Sequence, residues 1–292
     1  RKDIITDDFA SRGQTPTDAD IPAEYRNPEQ YGTGTDWYNT VLRKAPQHNT
    51  TASVSGGSDN TKYNFSFGYF KQDGVLRYTG YDRYTVRANI ESKIGSKVKV
   101  GLNLAPSYST QAVNDFENGF TDVLTRSLWL SPLIPVTDEK GNRTPYISSP
   151  GMFSAANPLN SLEFGVTNVK TFTGLGTGYV EYEVIPGLKA KGSFNVSYGN
   201  GSTFVFNPSF LGGVNNPPPS IPNSSQSKAN GLNWLGEMLL SYDKQFNKDH
   251  SLNVVLGYTA QKSREDFLVI NASNYPDDLI KPIGAAATIP SY

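Results

Sequence analysis

The sequence contains no cysteine and has only two histidines and two methionines among its 292 residues. The absence of cysteine excludes disulfides, thiolate zinc sites and cysteine nucleophiles together. The 26 basic and 27 acidic residues nearly cancel, so no excess of positive charge points to nucleic acid as a partner. No run approaches the roughly 18 consecutive apolar residues of a membrane-spanning helix, so any crossing of a membrane would have to be made by strands.

The residues that are abundant favour strands and turns. Aromatic residues make up 12% of the chain, with 17 tyrosines and 15 phenylalanines, and there are 27 glycines and 19 prolines. Aromatic side chains are enriched in β-strands, whereas glycine and proline mark turns. The composition therefore indicates an all-β protein with many connections.

The stretch from 50 to 108 contains three runs in which apolar and polar residues alternate. Successive strand residues point to opposite faces, so each run has one apolar and one polar face. The apolar members are Tyr63, Phe65, Phe67 and Tyr69 in the first run, Tyr84, Val86, Ala88 and Ile90 in the second, and Val98, Val100, Leu102 and Leu104 in the third. Either a second sheet or lipid has to cover these faces.

The same alternation predicts eight antiparallel strands, which follow a lead-in segment at 1–48. Asp36 is expected to cap a short helix that reaches Leu42 in this segment. The rest, 49–292, is expected to be a portion of a β-barrel. The strands are predicted at 50–55, 61–71, 81–92, 98–109, 169–184, 188–198, 232–243 and 251–262. Long loops are predicted at 110–168, 200–230 and 264–292, with a helix at about 115–130 inside the first of them.

The predicted connections alternate between tight turns and extended loops. Outer-membrane barrels sort their connections in this way, with short periplasmic turns and long extracellular loops. Aromatic residues also fall near the strand ends, where an interfacial girdle belongs. They are Tyr69, Tyr84, Tyr198, Trp234, Tyr242 and Tyr258. The pattern favours part of a transmembrane barrel, and a surface or secreted β-sandwich that binds glycans is the alternative.

Catalytic constellations are not found in the sequence. His48 and His250 lie in or beside predicted turns, without a spaced carboxylate or a second histidine, and no serine stands in a G-x-S-x-G motif. Aspartates at 3, 7, 8, 18 and 20 lack the ligand spacing of a calcium loop. The sequence therefore predicts no enzyme activity, no metal and no cofactor.

Several motifs closely resemble one known family. They include the SGGS turn at 55–58, GYFKQDGVL at 68–76, YDRY at 81–84 and GTDW at 34–37. Together with the later segment NWLGEMLLSYDKQFNKDHSLNVVLGYTAQ, they resemble the start and a later hairpin of the barrel in the SusC/RagA family of TonB-linked outer-membrane transporters. The resemblance covers nearly the whole chain.

The resemblance implies import of glycans or peptides across the outer membrane of a Gram-negative bacterium. It implies a barrel of about 22 strands that contains a plug, contact with TonB through an N-terminal segment, and a SusD-like lipoprotein lid over the extracellular loops. Neither a plug nor a TonB box is found here, so the chain is expected to be an internal fragment of the barrel, surrounded by outer-membrane lipid. No nucleic-acid partner is implied.

The long first loop and the polar strand faces supply the candidate site residues. Aromatic side chains of the loop are candidate contacts to an oligosaccharide or peptide, although they could equally form the core of the loop or meet the lid. They are Phe116, Phe120, Trp129, Tyr146 and Phe153. Five cations are expected in the lumen, paired with acids of the plug or facing water: Lys62, Arg87, Lys99, Lys189 and Lys191. Gly174, Gly176 and Gly178 are interpreted as small lumen-facing residues beside the plug.

Overall fold

The computed structural model describes residues 2–113, 122–147, 154–212 and 217–290. Its main element is one antiparallel sheet, as the sequence predicts. The strands of the sheet are β1 (Gln47–Gly57), β2 (Thr61–Asp73), β3 (Gly80–Ile94), β4 (Val98–Leu104), β5 (Ser107–Ala112), β8 (Val166–Ile185), β9 (Leu188–Asn207), β10 (Asn223–Gln245) and β11 (Ser251–Ser273). A separate pair consists of β6 (Tyr146–Ile147) and β7 (Ala155–Ala156).

The strands of the large sheet lie in the order β1-β2-β3-β4-β8-β9-β10-β11. β5 continues the line of β4 and pairs with the same two neighbours, β3 and β8. The line is interrupted at Pro106, which has no N–H to donate to the ladder. Its carbonyl still accepts from the amide of Val86 at 2.9 Å. β1 and β11 form the two edges of the sheet within the described residues.

The register gives the sheet one apolar face through all of its strands. Phe65 of β2 lies opposite Val54 and Ala88, and Ala88 lies opposite Leu104 of β4. Farther along the sheet, and on the same face, Phe194 of β9 lies opposite Gly236 of β10. We call this surface the apolar face and the opposite one the polar face. Because pairing partners point to the same side, one register fixes both faces across the sheet.

The apolar face is uncovered over most of its area. Met238 and Tyr258 are each 69% exposed, and Phe194 is 52% exposed. A β-sandwich would pack a second sheet against these side chains. In the part of the chain that the structure describes, the second sheet is only the two-residue pair β6 and β7, so the sandwich alternative gains no support.

The three glycines predicted to face the lumen lie on the apolar face instead. Gly176 of β8 lies opposite Leu104 and Val196, and a Cβ added to it would meet their methyl carbons at 3.3 and 3.2 Å. Tyr179 and the other odd-numbered residues of β8 as far as Glu183 occupy the polar face. The prediction was wrong because glycines carry no side chain that reveals a face, so only the register with β4 and β9 sets the orientation of β8.

The strands also extend beyond the predicted loop boundaries. β9 continues to Asn207, β10 begins at Asn223 and β11 continues to Ser273, so the loops expected at 200–230 and 264–292 are shorter than predicted. β1 is likewise longer than the predicted 50–55. The added portions lack the alternation that guided the prediction: 223–231 of β10 is polar, whereas β9 ends in the apolar run 204–206 and β11 contains the apolar run 267–270. Backbone pairing does not need that alternation.

Short and long connections are sorted to opposite ends of the sheet. The turns at 58–60, 95–97, 186–187 and 246–250 lie at one end, which we call the turn end. Gly95 and Gly187 occupy two of these turns with positive φ, at 64° and 85°. The connections at 74–79, 113–165 and 208–222 lie at the other end, which we call the loop end.

The described residues also form five short helices. They are α1 (Lys2–Ser11), α2 (Ala23–Arg26), α3 (Trp37–Val41), α4 (Val123–Trp129) and α5 (Pro158–Phe164), with 3-10 turns at Pro28–Tyr31 and Ile283–Ala285. Asp36 caps α3, as predicted, by accepting from the amide of Asn39 at 2.9 Å. Of the helices in the described ranges, none is long and apolar enough to cross a membrane.

A compact body at the loop end joins the lead-in segment to the first long loop. We call residues 34–46, 122–147 and 154–165 the loop body. Trp37 is buried against Leu130, Ile147 and Ala155, and its indole N–H donates to the carbonyl of Ser131 at 3.0 Å. A second cluster packs side by side with it, formed by Val41, Val123, Leu159 and Leu162. These contacts hold three distant parts of the chain over the end of the sheet.

Candidate functional site: the polar face and the loop end

The polar face carries a charged cluster near the turn end. Lys99 of β4 forms an ion pair with Glu91 of β3 at 2.9 Å, and the hydroxyl of Tyr179 donates to the same carboxylate at 2.8 Å. The ammonium group of Lys191 lies 4.7 Å from the centre of the Tyr179 ring. This arrangement connects β3, β4, β8 and β9 through one carboxylate and one aromatic ring.

All five cations that the sequence assigns to one face lie on the polar face. Lys62 is paired with Glu91 and therefore shares its face. The other four cations occupy odd-numbered positions, which belong to the polar face in β3, β4 and β9: Arg87, Lys99, Lys189 and Lys191. Two of the five contact partners from this chain, as described above. Lys189 and Lys191 also lie in register with Glu183 and Glu181, so the polar face carries charges of both signs.

A second hydrogen-bonded network, formed by neutral polar side chains and one carboxylate, lies nearer the loop end of the polar face. Thr177 donates to the side-chain carbonyl of Asn195 at 2.8 Å, and the amide of Asn195 donates to Glu237 at 3.3 Å. Ser193 donates to the same carboxylate at 3.3 Å. Beside this network lies a concavity of about 580 Å³ whose lining includes Asn233 and Gln261. Such groups suit the hydroxyls and amides of a polar oligomer.

Aromatic and cationic side chains meet on the polar face where β2 and β3 approach the loop body. The rings of Phe70 and Tyr81 lie edge to face with centroids 6.0 Å apart, and the guanidinium of Arg83 lies 5.5 Å from the centre of the Phe70 ring. Gln72 and Tyr81 also line a cavity of about 460 Å³ beneath α4. Stacking rings beside a guanidinium can hold a sugar or a peptide carboxylate.

Sequence reasoning missed this cluster. Phe70 occupies a polar-face position of β2, where Lys62, Asn64 and Ser66 precede it, and Tyr81 occupies the matching face of β3. A large aromatic residue at a position that the alternation assigns to the polar face is the sequence signal that would have identified Phe70 and Tyr81.

The predicted substrate contacts are only partly within the described structure. Phe116, Phe120 and Phe153 lie outside the described residues. Trp129 ends α4 and is 40% exposed, and Tyr146 is half-buried in β6, where burial raises the pKa of its hydroxyl. Both belong to the loop body, and their contact with a substrate stays a prediction.

The described histidines and acids form no metal-binding group. Within the described ranges, no three His, Asp or Glu side chains gather in a way that would hold a metal ion. His48 lies in β1 rather than in a turn and hydrogen-bonds the Thr50 hydroxyl at 2.7 Å. His250 lies in the turn between β10 and β11, where its amide donates to Asn247 at 2.8 Å.

Arg43 fixes the loop body to the connection between β2 and β3. Its Nε donates to the carbonyl of Gly74 at 3.0 Å and its Nη2 to the carbonyl of Thr79 at 2.8 Å. We expect Arg43→Ala to lower the local opening free energy of residues 74–79 by about 1–3 kcal/mol, because two charge-assisted bonds are lost. Amide hydrogen exchange of Arg77, which donates to Val41 at 3.0 Å, measures this opening.

The exposed neighbour Lys44 provides the control for that substitution. Lys44→Ala removes a cation of the same sign from the adjacent position, and the exchange of Arg77 should stay as in the wild type. Equal effects of the two substitutions would show that Arg43 does not hold this connection.

Known proteins match this chain over most of its length, although no family model matches it. It is 31% identical over 271 residues to TonB-dependent receptor P3 of Formosa agariphila, which covers 88% of this chain and 26% of the relative. It is 23% identical to TonB-dependent receptor SusC of Bacteroides thetaiotaomicron, which covers 82% of this chain and 24% of SusC. The chain spans about a quarter of the length of these relatives.

Solved structures show the same fold. The RagAB peptide importer in its open-open state aligns with a TM-score of 0.78 at 19% identity, over 98% of this chain and 34% of that one. The RagAB peptide transporter aligns with a TM-score of 0.74 at 20% identity, over 88% and 29%. The uncovered two-faced sheet and these relatives define the class, which is that of the TonB-dependent receptors. Within that class, the chain is similar to SusC in sequence and to RagAB in fold, in agreement with the SusC/RagA resemblance of its motifs.

Proposed function

We propose that this chain forms part of the wall of an outer-membrane nutrient importer of the SusC type, with its apolar face in lipid and its polar face toward the lumen. The observation that supports this most directly is a band of apolar residues on the apolar face. On β10 the band runs from Leu232 to Tyr242, and on β9 it runs from Leu188 to Tyr198. Above it, Asn200 and Asn230 hydrogen-bond each other on the same face.

The height of this apolar band fits a membrane. The eleven residues from Leu232 to Tyr242 extend about 34 Å along the strand, at about 3.4 Å per residue. With a strand tilt of about 40°, this corresponds to a height of about 26 Å, close to the roughly 25 Å of outer-membrane barrels. A sheet that packs on another sheet has no reason to match this height.

The aromatic residues at the loop-end edge of the band give a second value for the strand tilt, independent of the height of the band. Tyr84, Tyr108 and Phe172 lie in one register row on β3, β5 and β8, and Asn200 and Asn230 continue that row. The edge then moves toward the turn end, to Tyr198 on β9 and Trp234 on β10. Measured to the last aromatic residue, Trp234, rather than to Leu232, the shift is four residues over four strand spacings, or about 14 Å over about 19 Å, which corresponds to about 35°. Transmembrane barrels have strand tilts of about 35–45°.

The polar face and the loop end are the proposed path of the substrate. A short glycan or peptide would first meet the loop body and the cluster of Phe70, Tyr81 and Arg83, and then the polar side chains around Asn195 and Glu237. Substrate contacts are also proposed for the aromatic residues predicted from the sequence: Phe116, Phe120, Trp129, Tyr146 and Phe153. RagAB is named as a peptide importer, which supports a peptide as one candidate here.

The proposed partners follow from the same class. A SusD-like lipoprotein would cover the loop end, TonB would act through a segment outside this chain, and outer-membrane lipid would surround the apolar face. The loop body offers a folded surface for the lipoprotein, with Leu128 65% exposed on α4. These assignments rest on the relatives and on the position of the loop body beyond the apolar band.

Cysteine labelling of the full-length receptor tests the topology. The chain has no cysteine of its own, so in a receptor with any cysteines elsewhere replaced, single cysteines can be placed at Leu279 at the loop end and Lys248 at the turn end. A membrane-impermeant maleimide added to intact cells should label Leu279→Cys, which is 85% exposed in the wild type, at least tenfold more than Lys248→Cys. After the outer membrane is permeabilised, both positions should label.

Uptake measurements then test the activity. Cells that express the receptor with its lipoprotein should accumulate a labelled glycan or oligopeptide, and deletion of TonB should abolish the uptake. Labelling of both cysteines in intact cells, or uptake that is unchanged without TonB, would contradict the proposal.

A further inference from the structure

Cations gather on the apolar face immediately beyond the loop-end edge of the apolar band. On β11, Lys262 and Arg264 follow Ala260 at the next two apolar-face positions, opposite Trp234 and Leu232 of β10. Lys228 of β10 and Lys170 of β8 lie opposite the same residue, Ser202 of β9. All four cations are exposed. Asp266 is the acid among them, and it pairs with Arg264 at 3.1 Å.

The turn-end edge of the band has no matching concentration of charge. On β8–β11, Lys244 is the one cation at a paired apolar-face position beyond the turn-end edge, compared with four cations at the loop-end edge. Positive charge beside a membrane attracts anionic headgroups. The asymmetry therefore favours anionic lipid on the loop-end side of the band.

A groove enters the apolar band directly below Lys262. Its walls include Phe194, Met238 and Tyr258, and it encloses about 680 Å³. It reaches Ala260, two residues from Lys262 on β11. Toward the turn end it continues into a second hollow of about 530 Å³, which shares Met238 and Tyr258 with the first. The two hollows form one apolar channel that runs along the strands from the cations into the band.

We propose that β8–β11 bind a phosphorylated, acylated lipid of the loop-side leaflet. Its phosphate lies at Lys262 and Arg264, and one acyl chain fills the groove beside Phe194 and Met238. The proposal rests on the proposed function, because it requires the apolar face to lie in a membrane. It adds a specific lipid site to a wall whose remaining apolar surface needs only general contact with lipid.

The charges favour lipid over a second copy of the chain. A two-fold dimer interface centred on the groove would place Lys262 and Arg264 of one copy near the same residues of the other. Like charges at such an interface repel each other, whereas a phosphate satisfies both cations. A dimer is therefore treated as an outcome that the test can reveal.

The test uses the full-length receptor purified in detergent and titrated with bisphosphorylated lipid A, with bound lipid counted by native mass spectrometry. Lys262→Gln with Arg264→Gln should weaken binding roughly tenfold to thirtyfold, from about 1 kcal/mol per cation near an anionic surface. Lys244→Gln with Lys248→Gln removes the same charge at the turn end and should leave binding unchanged. Lipid A stripped of its phosphates should bind the wild type and the loop-end variant equally.

A substitution in the groove tests the acyl-chain part separately. Gly192 forms part of the groove lining, and a Cβ added there meets no heavy atom within 4 Å, so Gly192→Leu fills the groove without disturbing the wall. It should reduce lipid A binding at least fivefold. Gly199 on the polar face of the same strand is equally open, and Gly199→Leu should have no effect.

The outcomes separate the two proposals. A receptor that fails to enter the outer membrane contradicts the proposed function. A receptor that enters the membrane and imports its substrate, but whose loop-end variant binds lipid A as the wild type does, overturns the lipid site. A stable dimer that lipid A does not dissociate, and that Gly192→Leu disrupts, also overturns it and assigns the groove to a second copy.

Discussion

Phe194→Arg is expected to prevent stable assembly of the receptor in the outer membrane. Phe194 lies near the middle of the apolar band, 52% exposed, with its ring stacked on Trp234 at 5.9 Å between centroids. An arginine at the midplane of a barrel's lipid face costs about 2–4 kcal/mol. The stacked pair with Trp234 is lost as well. Unfolding of the liposome-reconstituted receptor in guanidinium measures the loss of stability.

The adjacent position on the same strand provides a matched control. Ser193 faces the other side of the sheet, where its hydroxyl contacts Glu237. Ser193→Arg introduces the same charge one residue away but places it beside a carboxylate, so stability should change by less than about 1 kcal/mol. Equal destabilisation by the two substitutions would show that the two faces meet the same environment and would contradict the lipid assignment.

Trp37→Ala is expected to unfold the loop body while leaving the wall intact. Trp37 is 2% exposed, and its removal creates a cavity among Leu130, Ile147 and Ala155. Large-to-small substitutions of this kind cost about 3–5 kcal/mol. The fully buried Ser131 also loses the indole donor to its carbonyl. Limited proteolysis should cut within 122–147 at least tenfold faster than in the wild type.

Two further substitutions test whether the effect is specific to Trp37 and whether its N–H donor contributes. Tyr38, the next residue, is 41% exposed, and Tyr38→Ala should leave the cleavage rate close to that of the wild type. Trp37→Phe keeps an aromatic ring but lacks the donor to Ser131, so its effect should be intermediate. Cleavage that is slow in Trp37→Ala would show that the loop body does not depend on this core.

The faces of the sheet could be predicted wherever side chains alternate in character. Phe65 and Phe67 among Asn64 and Ser66 define a face on their own, and every later strand with such contrast was oriented correctly. β8 was not, because Gly174, Gly176 and Gly178 have no side chains to read. The loop-side ends of β9–β11 were taken for loops because apolar and polar residues do not alternate there.

The site was less accessible to prediction because its contacts join distant parts of the chain. Trp37 and Ser131 are 94 residues apart in the sequence, and no periodicity links them. Phe70 and Tyr81 were visible in the sequence as aromatic residues at polar positions, but only the pairing of β2 with β3 brings them together. The loop aromatics Phe116, Phe120 and Phe153 remain predictions of the sequence alone.

The length of β10 sets a distance that the proposed membrane-anchored lipoprotein would have to bridge. Nine residues, 223–231, continue the strand beyond the apolar band toward the loop end. They extend about 31 Å along the strand and, at a tilt of about 40°, raise the rim of the wall about 24 Å above the lipid. A lipoprotein that closes this rim therefore needs a tether of at least about seven extended residues between its acylated end and its folded domain.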